Sequence, residues 1–240
     1  MLGAMGDEST KTALGGRLLD VALRDQIARV HADTVLDAGG GASLVKVLTL
    51  ADFIVGNQLR TIVEIGVYRG RLLLPLGALL TSLADGIAIG IDPYSESAAM
   101  QRDAHGRDTD LVAFPATVDW DGLHNHVNAE IVRWGITAHT RLERARSHDV
   151  ASEFDPGSID LLHVDGNHDA AAVARDLDDY LPAVRPGGFV VLDDISWRSV
   201  LPHYARLATE HELLFALSDL GAPLEAVGGN DFAVFRLRAR

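Results

Sequence analysis

TIVEIGVYRGR (61–71) is a short β-rich run carrying an acid, Glu64, then Gly66 and, after three further residues, Gly70. VLDAGGGAS (35–43) upstream also offers an apolar run, an acid and a glycine turn that could open a helix, so the two stretches compete for the first strand of the sheet. In an open parallel sheet the ligand lies beyond the carboxyl ends of the strands, where a glycine-rich first turn lets the backbone approach it. Both stretches meet that test, and for the upstream loop Glu64 would be the acid of the following strand. Two features favour the downstream run. The strand before Gly39 would span only Thr34 to Leu36, directly after HAD (31–33), whereas Thr61 to Gly66 has the length of a full strand. Counted from Glu64, acid-ended strands fall at the first, second, fourth and fifth positions of a five-strand series, as a doubly wound sheet built around its first strand requires. The GGG run then reads as a flexible turn before a helix, placed to act as part of a lid.

Outward from this strand, periodicity predicts helices over 17–30 and from Ala42 to near GNQ (56–58), then a helix over 71–83 despite Pro75. Further strands are expected at 86–92, 139–145, 158–165 and 187–194. Helices are expected at 120–135, 170–181 and 198–210, and ELLFALS (212–218) with DFAVFRLR (231–238) suits a terminal antiparallel pair. Strands alternating with helices imply an α/β, Rossmann-like, doubly wound and mostly parallel sheet with helices on both faces. No linker or repeat divides the chain, so 1–240 reads as one domain: 1–60 as N-terminal helices and possible lid, 61–240 as the core. Residues 1–12 are small, polar and aperiodic, as a mobile terminus would be.

The balance of 21 Lys and Arg against 34 Asp and Glu leaves a formal charge of −13, which argues against a nucleic-acid surface. With no cysteine, disulfides and thiolate metal sites are excluded, and any metal must take oxygen or imidazole ligands. There is no secretory leader pattern and no run of about 18 apolar residues, so a cytoplasmic location off the membrane is expected.

The glycine spacing departs from G-x-G-x-x-G, and Glu64 would repel a pyrophosphate. A ligand with a cationic end fits better. S-adenosylmethionine has an ammonium, a sulfonium and a ribose but no phosphate, and Asp92, ending the next strand, is placed to accept from ribose hydroxyls. Asp165 and the pair Asp193 and Asp194 end two strands that, if adjacent, lie about 4.8 Å apart. Three such carboxylates repel unless a cation joins them, and oxygen ligands suit magnesium or calcium. Alternatively Asp165 caps a helix and the other two are solvated. His168 stands where a neutral imidazole could take a proton from a substrate hydroxyl, or it is a helix-start surface residue. His163 reads as a packed core residue, and HNH (124–126), on a helix without basic surroundings, as coincidence. Tyr94, Trp120 and Trp197 are candidates for apolar walls or for core packing.

VEIGVYRG (63–70), GIDPYS (90–95) and IDLLHVDGNHDAAAVARDLDDYLPAVRPGGFVVLDD (159–194) together resemble class I S-adenosylmethionine-dependent methyltransferases. Among these the chain looks most like the metal-dependent sugar O-methyltransferases of the macrocin and mycinamicin type, with catechol O-methyltransferases as more distant relatives. The resemblance covers about residues 42–195. It implies a seven-stranded sheet with an antiparallel last strand. It also implies that Glu64, Gly66 and Gly70 line the methionine end of the cofactor, that Asp92 binds the ribose and Ser147 lies near the adenine, and that Tyr68 and Asp165 are cofactor-binding as well. Asp165, Asp193 and Asp194 would hold magnesium, and His168, with Asp165, would serve in-line methyl transfer to a hydroxyl. The acceptor would be a small natural product, most simply a sugar or glycosylated metabolite, and a homo-oligomer, dimer or higher, is expected. The sequence departs from the family in VYR (67–69) and before residue 42. The alternatives are a metal-independent or N-directed methyltransferase of the same fold and a nicotinamide-dependent oxidoreductase.

Overall fold

The computed structural model describes residues 19–34, 41–103, 110–218 and 231–238. The upstream glycine turn as far as Gly40 and the polar N-terminus lie outside the described residues. Among the described residues seven strands form one sheet: β1 (Thr61–Ile65), β2 (Ile87–Ile91), β3 (Thr140–Glu143), β4 (Ile159–Val164), β5 (Val184–Asp193), β6 (Glu212–Leu217) and β7 (Phe232–Arg236). Their spatial order is β3-β2-β1-β4-β5-β7-β6. β1 to β5 run parallel, and β7 is antiparallel to both β5 and β6. The order reverses beside β1, so the carboxyl ends of β1, β2 and β4 open on one crevice.

Side chains alternate between the two faces, as the period of a strand dictates. Ile62, Leu161, Phe189 and Val191 join one apolar cluster; Val63, Ile65, Leu162, Val164, Val190 and Leu192 join the other. The first face is covered by α1 (Val21–Asp33), α2 (Leu44–Asn57), α3 (Leu73–Leu83) and α5 (Trp120–Arg133), the second by α7 (Ala170–Tyr180) and α8 (Leu201–Glu210). Two one-turn helices, α4 (Glu96–Ala99) and α6 (Ser147–Val150), sit in loops beyond the strand ends.

Capping explains where the helices depart from the spacing of apolar residues. Asp20 accepts the Leu23 N–H at 2.8 Å and starts α1, and Ser43 accepts the Lys46 N–H at 3.0 Å and starts α2, so neither helix begins at its first apolar residue. Pro75 is harmless in α3 because it lies in the first turn, where its missing N–H would have no helical partner. Among the described residues no helix is long and apolar enough to cross a membrane.

The amino ends of the central strands are tied by one carboxylate. Asp160, on β4, accepts the backbone N–H of Arg60 at 2.7 Å and of Thr61 at 2.9 Å, and Arg185 Nε at 2.5 Å, joining β1, β4 and β5. Partial burial works against its ionisation, but these N–H groups and the guanidinium win and hold its carboxyl below the usual range. The stabilisation is therefore present above the ordinary carboxylate pKa and lost as pH falls. Asp160→Ala is expected to cost about 1–3 kcal/mol in denaturant unfolding at pH 7, with the difference from wild type shrinking towards pH 3.

Candidate active site

A cavity of about 690 Å³ lies over the carboxyl ends of β1, β2, β4 and β5. Glycine makes its floor possible. Gly66 has φ +87°, and a Cβ there would lie 2.1 Å from the Asp165 carbonyl oxygen, so only a residue without one lets the ends of β1 and β4 approach. The Asp165 N–H bonds to Ile65 O at 2.9 Å and the Gly66 N–H to Ile91 O at 2.9 Å, locking the three strand ends together. Tyr68 and Asp194 are held at φ 47° and 50°, a region that side chains rarely occupy and that collects at functional sites. Gly70 also has positive φ and donates its N–H to Val67 O, shaping the loop without lining the cavity.

Glu64, at the end of β1, is 4% exposed and lines the cavity, yet its Oε2 has no hydrogen-bond partner among the described residues. Its Oε1 is 3.7 Å from His163 Nδ1. Burial pushes its carboxyl up, against the nearby His163 imidazole, which pulls it down. Asp92 is differently engaged: it accepts N–H groups from Val67 at 3.0 Å, Tyr68 at 2.9 Å and Tyr94 at 2.7 Å, bracing the glycine loop. A carboxylate has about four acceptor positions, so roughly one is left for a ligand.

The strand ends of β4 and β5 bring Asp165, Asp193 and Asp194 to the cavity wall. His168 Nε2 is 3.4 Å from Asp165 Oδ1 and 3.3 Å from Asp194 Oδ2, making these three one potential metal set; His163, Asp165 and Asp193 form another. His168 is 7% exposed, packs on Trp197 at 4.8 Å between centroids, and makes no hydrogen bond through either ring nitrogen among the described residues. Lys46 reaches Asp193 from behind in a close ion pair and lies 3.7 Å from Asp165. Burial opposes ionisation of Asp193, but Lys46 and then His163 hold it far below the usual range. Asp194, desolvated and next to two other acids, is pushed up to about 7. Burial disfavours a charged His168, yet Asp194 and Asp165 outweigh it and raise the imidazole to about 9.

Ser147 and Asp176 form the far wall: the Ser147 hydroxyl donates to Asp176 Oδ1 at 2.5 Å, and Tyr180 OH donates to Ser147 O at 2.8 Å. Of the three aromatics read as apolar walls or core packing, Trp120 and Trp197 line the cavity, whereas Tyr94 is fully buried in the core. Gly41 and Ala42, at the end of the upstream glycine turn, also line it.

Sequence reasoning missed Lys46, Asp176 and Asp231. Lys46 was hidden on an apolar stripe with partners more than a hundred residues away. Asp176 stands among Val173, Leu177 and Tyr180 on the buried face of α7, a misplaced acid that could have been noticed. Asp231 is buried, accepts the Ser196 N–H at 2.9 Å and the Ser196 hydroxyl, and lines the cavity.

Residues 63–195, more than half of the chain, match the family described as a methyltransferase domain. The chain belongs to this family. No curated protein is significantly similar in sequence. Among solved structures, the O-methyltransferase TomG from Streptomyces achromogenes, involved in tomaymycin synthesis and determined in complex with SAM, is 16% identical, with 96% of this chain and 94% of that chain covered and a TM-score of 0.57. An O-methyltransferase from Bacillus cereus in complex with SAH is 15% identical over 92% and 93% of the two chains, TM-score 0.58. The O-methyltransferase NovP is 16% identical over 80% and 77%, TM-score 0.56. These likenesses establish that the methyltransferase shares their fold.

Burial raises Asp176 of the methyltransferase to about 6, against the Ser147 hydrogen bond that lowers it. Between the ordinary carboxylate value and pH 6 the folded protein keeps a proton that the unfolded chain releases, so this group costs stability as pH rises through that window. Asp176→Asn has no such loss. Its unfolding free energy relative to wild type is expected to improve by about 1–3 kcal/mol between pH 4 and pH 7, measured by urea titration at each pH.

Proposed function

We propose that this methyltransferase moves the methyl group of S-adenosylmethionine to a hydroxyl of a small natural product, a sugar or glycosylated metabolite, with magnesium at the acidic cluster. The observation that carries the reading is the unpartnered Glu64 carboxylate oxygen on the floor of a cavity whose wall holds Asp165, Asp194 and His168. A buried anion there suits the ammonium of an amino-acid moiety and repels a pyrophosphate. Tyr68 and Gly66 border the same end, the remaining acceptor position of Asp92 suits one ribose hydroxyl, and Ser147 lies at the adenine end. The solved neighbours named above are O-methyltransferases, one with SAM and one with SAH, which supports this donor and an oxygen acceptor.

When bound, S-adenosylmethionine brings a methyl already activated on sulfur, so the chain's task is placement and charge control. Glu64 fixes the amino-acid end, and Trp120 with Trp197 supplies apolar walls for the acceptor. The donor set fits a divalent cation: Asp165 and Asp194 face each other across the cavity wall beside an imidazole with no hydrogen bond, with Asp193 behind them. Asp165, Asp193 and Asp194 would hold such a cation, which when bound would supply positive charge near the acceptor oxygen and weaken the field that favours a protonated His168. His168 Nε2, once neutral, is placed to receive the acceptor's proton. A metal-independent version of the reaction is favoured by one feature, the Lys46 ammonium already seated between Asp193 and Asp165.

Calorimetric titration tests the donor site. S-adenosylhomocysteine is expected to bind and NAD not to bind, and Glu64→Gln should weaken S-adenosylhomocysteine roughly 10- to 100-fold, the worth of a hydrogen bond to a charged group. NAD binding, or unchanged affinity in the variant, contradicts the reading.

A further inference from the structure

The geometry points to Lys46 as a resident cation of the acidic cluster: it fills the inner position between Asp193 and Asp165 and leaves the cavity-side position bordered by Asp165, Asp194 and His168 as the seat, among the described residues, open to a divalent ion. The inference rests on the proposed cation site and concerns which carboxylates are free to build it.

Lys46 is 0% exposed, and Ser43 caps the helix that carries it, so its stem points from the first turn of α2 into the sheet. Its Nζ is in close contact with Asp193 Oδ2, lies 3.7 Å from Asp165 Oδ2, and is 5.5 Å from the centre of the Phe232 ring. Lys46 does not line the cavity, so the ammonium meets the carboxylates from the side opposite to the ligand. His163 Nε2 is 3.6 Å from the same Asp193 oxygen, and that inner side is thereby crowded with donors. A divalent ion between Asp165 and Asp193 would have to sit within a few ångströms of a fixed ammonium, a repulsion that little solvent screens at that depth. The outer side is different. Asp165 Oδ1 and Asp194 Oδ2 turn towards His168, more than nine-tenths buried, whose ring nitrogens have no hydrogen-bond partner among the described residues. Unsatisfied buried nitrogens beside two carboxylates mark a place where a ligand completes the set.

Lys46 is in this account a positioning residue. It holds the Asp193 side chain in place through their ion pair, and it confines metal to the face that the acceptor meets.

Manganese titrations followed by electron paramagnetic resonance test this without an acceptor. Wild type is expected to bind one ion per chain. Lys46→Met, which frees the inner pair, should bind a second ion or bind the first at least tenfold more tightly. Unchanged or weaker binding overturns the proposal. Should Lys46→Met fail to fold, the double variant Lys46→Met with Asp193→Asn removes both charges, and it is expected to bind one ion with wild-type affinity; loss of binding there shows that Asp193 is itself a ligand and overturns it. If wild type binds no ion while Lys46→Met binds one, Lys46 is confirmed as the inner cation, but the open cavity-side seat is overturned and the proposed magnesium site falls with it. If no protein binds manganese, both fall.

Discussion

Four carboxylates, Glu64, Asp165, Asp193 and Asp194, converge at the carboxyl ends of three adjacent strands, and they cannot all be ionised and dry without positive charge among them. The rest of the site follows from how that charge is supplied. Lys46 and His163 stand behind Asp193, and on the cavity side His168 lies against Asp165 Oδ1 and Asp194 Oδ2. Glu64 retains an oxygen with no partner among the described residues. The pattern leaves open places for cations on the cavity side and fills them on the core side. A site of this kind is weakly self-sufficient: burying these acids costs free energy that ligand binding can return.

The backbone meets this crowding with local strain. Gly66 lets β1 and β4 close to a distance that a Cβ would forbid, Asp92 holds the following loop through three N–H groups, and Asp194 turns away from β5 with positive φ. The N-terminal helices are part of the same construction. Arg71, just after the glycine loop, donates to Ala42 O at 3.2 Å and Thr34 Oγ1 at 2.9 Å, and α2 delivers Lys46. The helices before β1 are thus tied to the cluster by both a hydrogen-bonded guanidinium and a buried ion pair.

The sheet was legible because its strands are short apolar runs with acids at their ends, and because parallel pairing forces helices between them. The direction of β7 and the bringing together of Asp165, Asp193, Asp194 and His168 follow from that pattern. Lys46 was illegible for the opposite reason: its partners are set by tertiary packing of α2 on the sheet, which no local spacing encodes. Asp92 shows a subtler limit. Its position at the end of β2 could be read, but its three backbone donors depend on the path of the loop through Tyr68, whose positive φ no residue type announces. The glycines of VLDAGGGAS looked like a nucleotide turn; of its described residues, Gly41 and Ala42 reach the cavity beside the floor that Gly66 makes, and the rest of the turn lies outside the described residues.

Whether cations complete the cavity side of this cluster can be seen in a crystal structure with S-adenosylhomocysteine and manganese, located by anomalous scattering. The ligand ammonium is expected on Glu64 and one manganese peak between Asp165 and Asp194, with Lys46 still paired to Asp193. A manganese peak between Asp165 and Asp193 with Lys46 displaced, or the amino-acid end of the ligand away from Glu64, would contradict this arrangement.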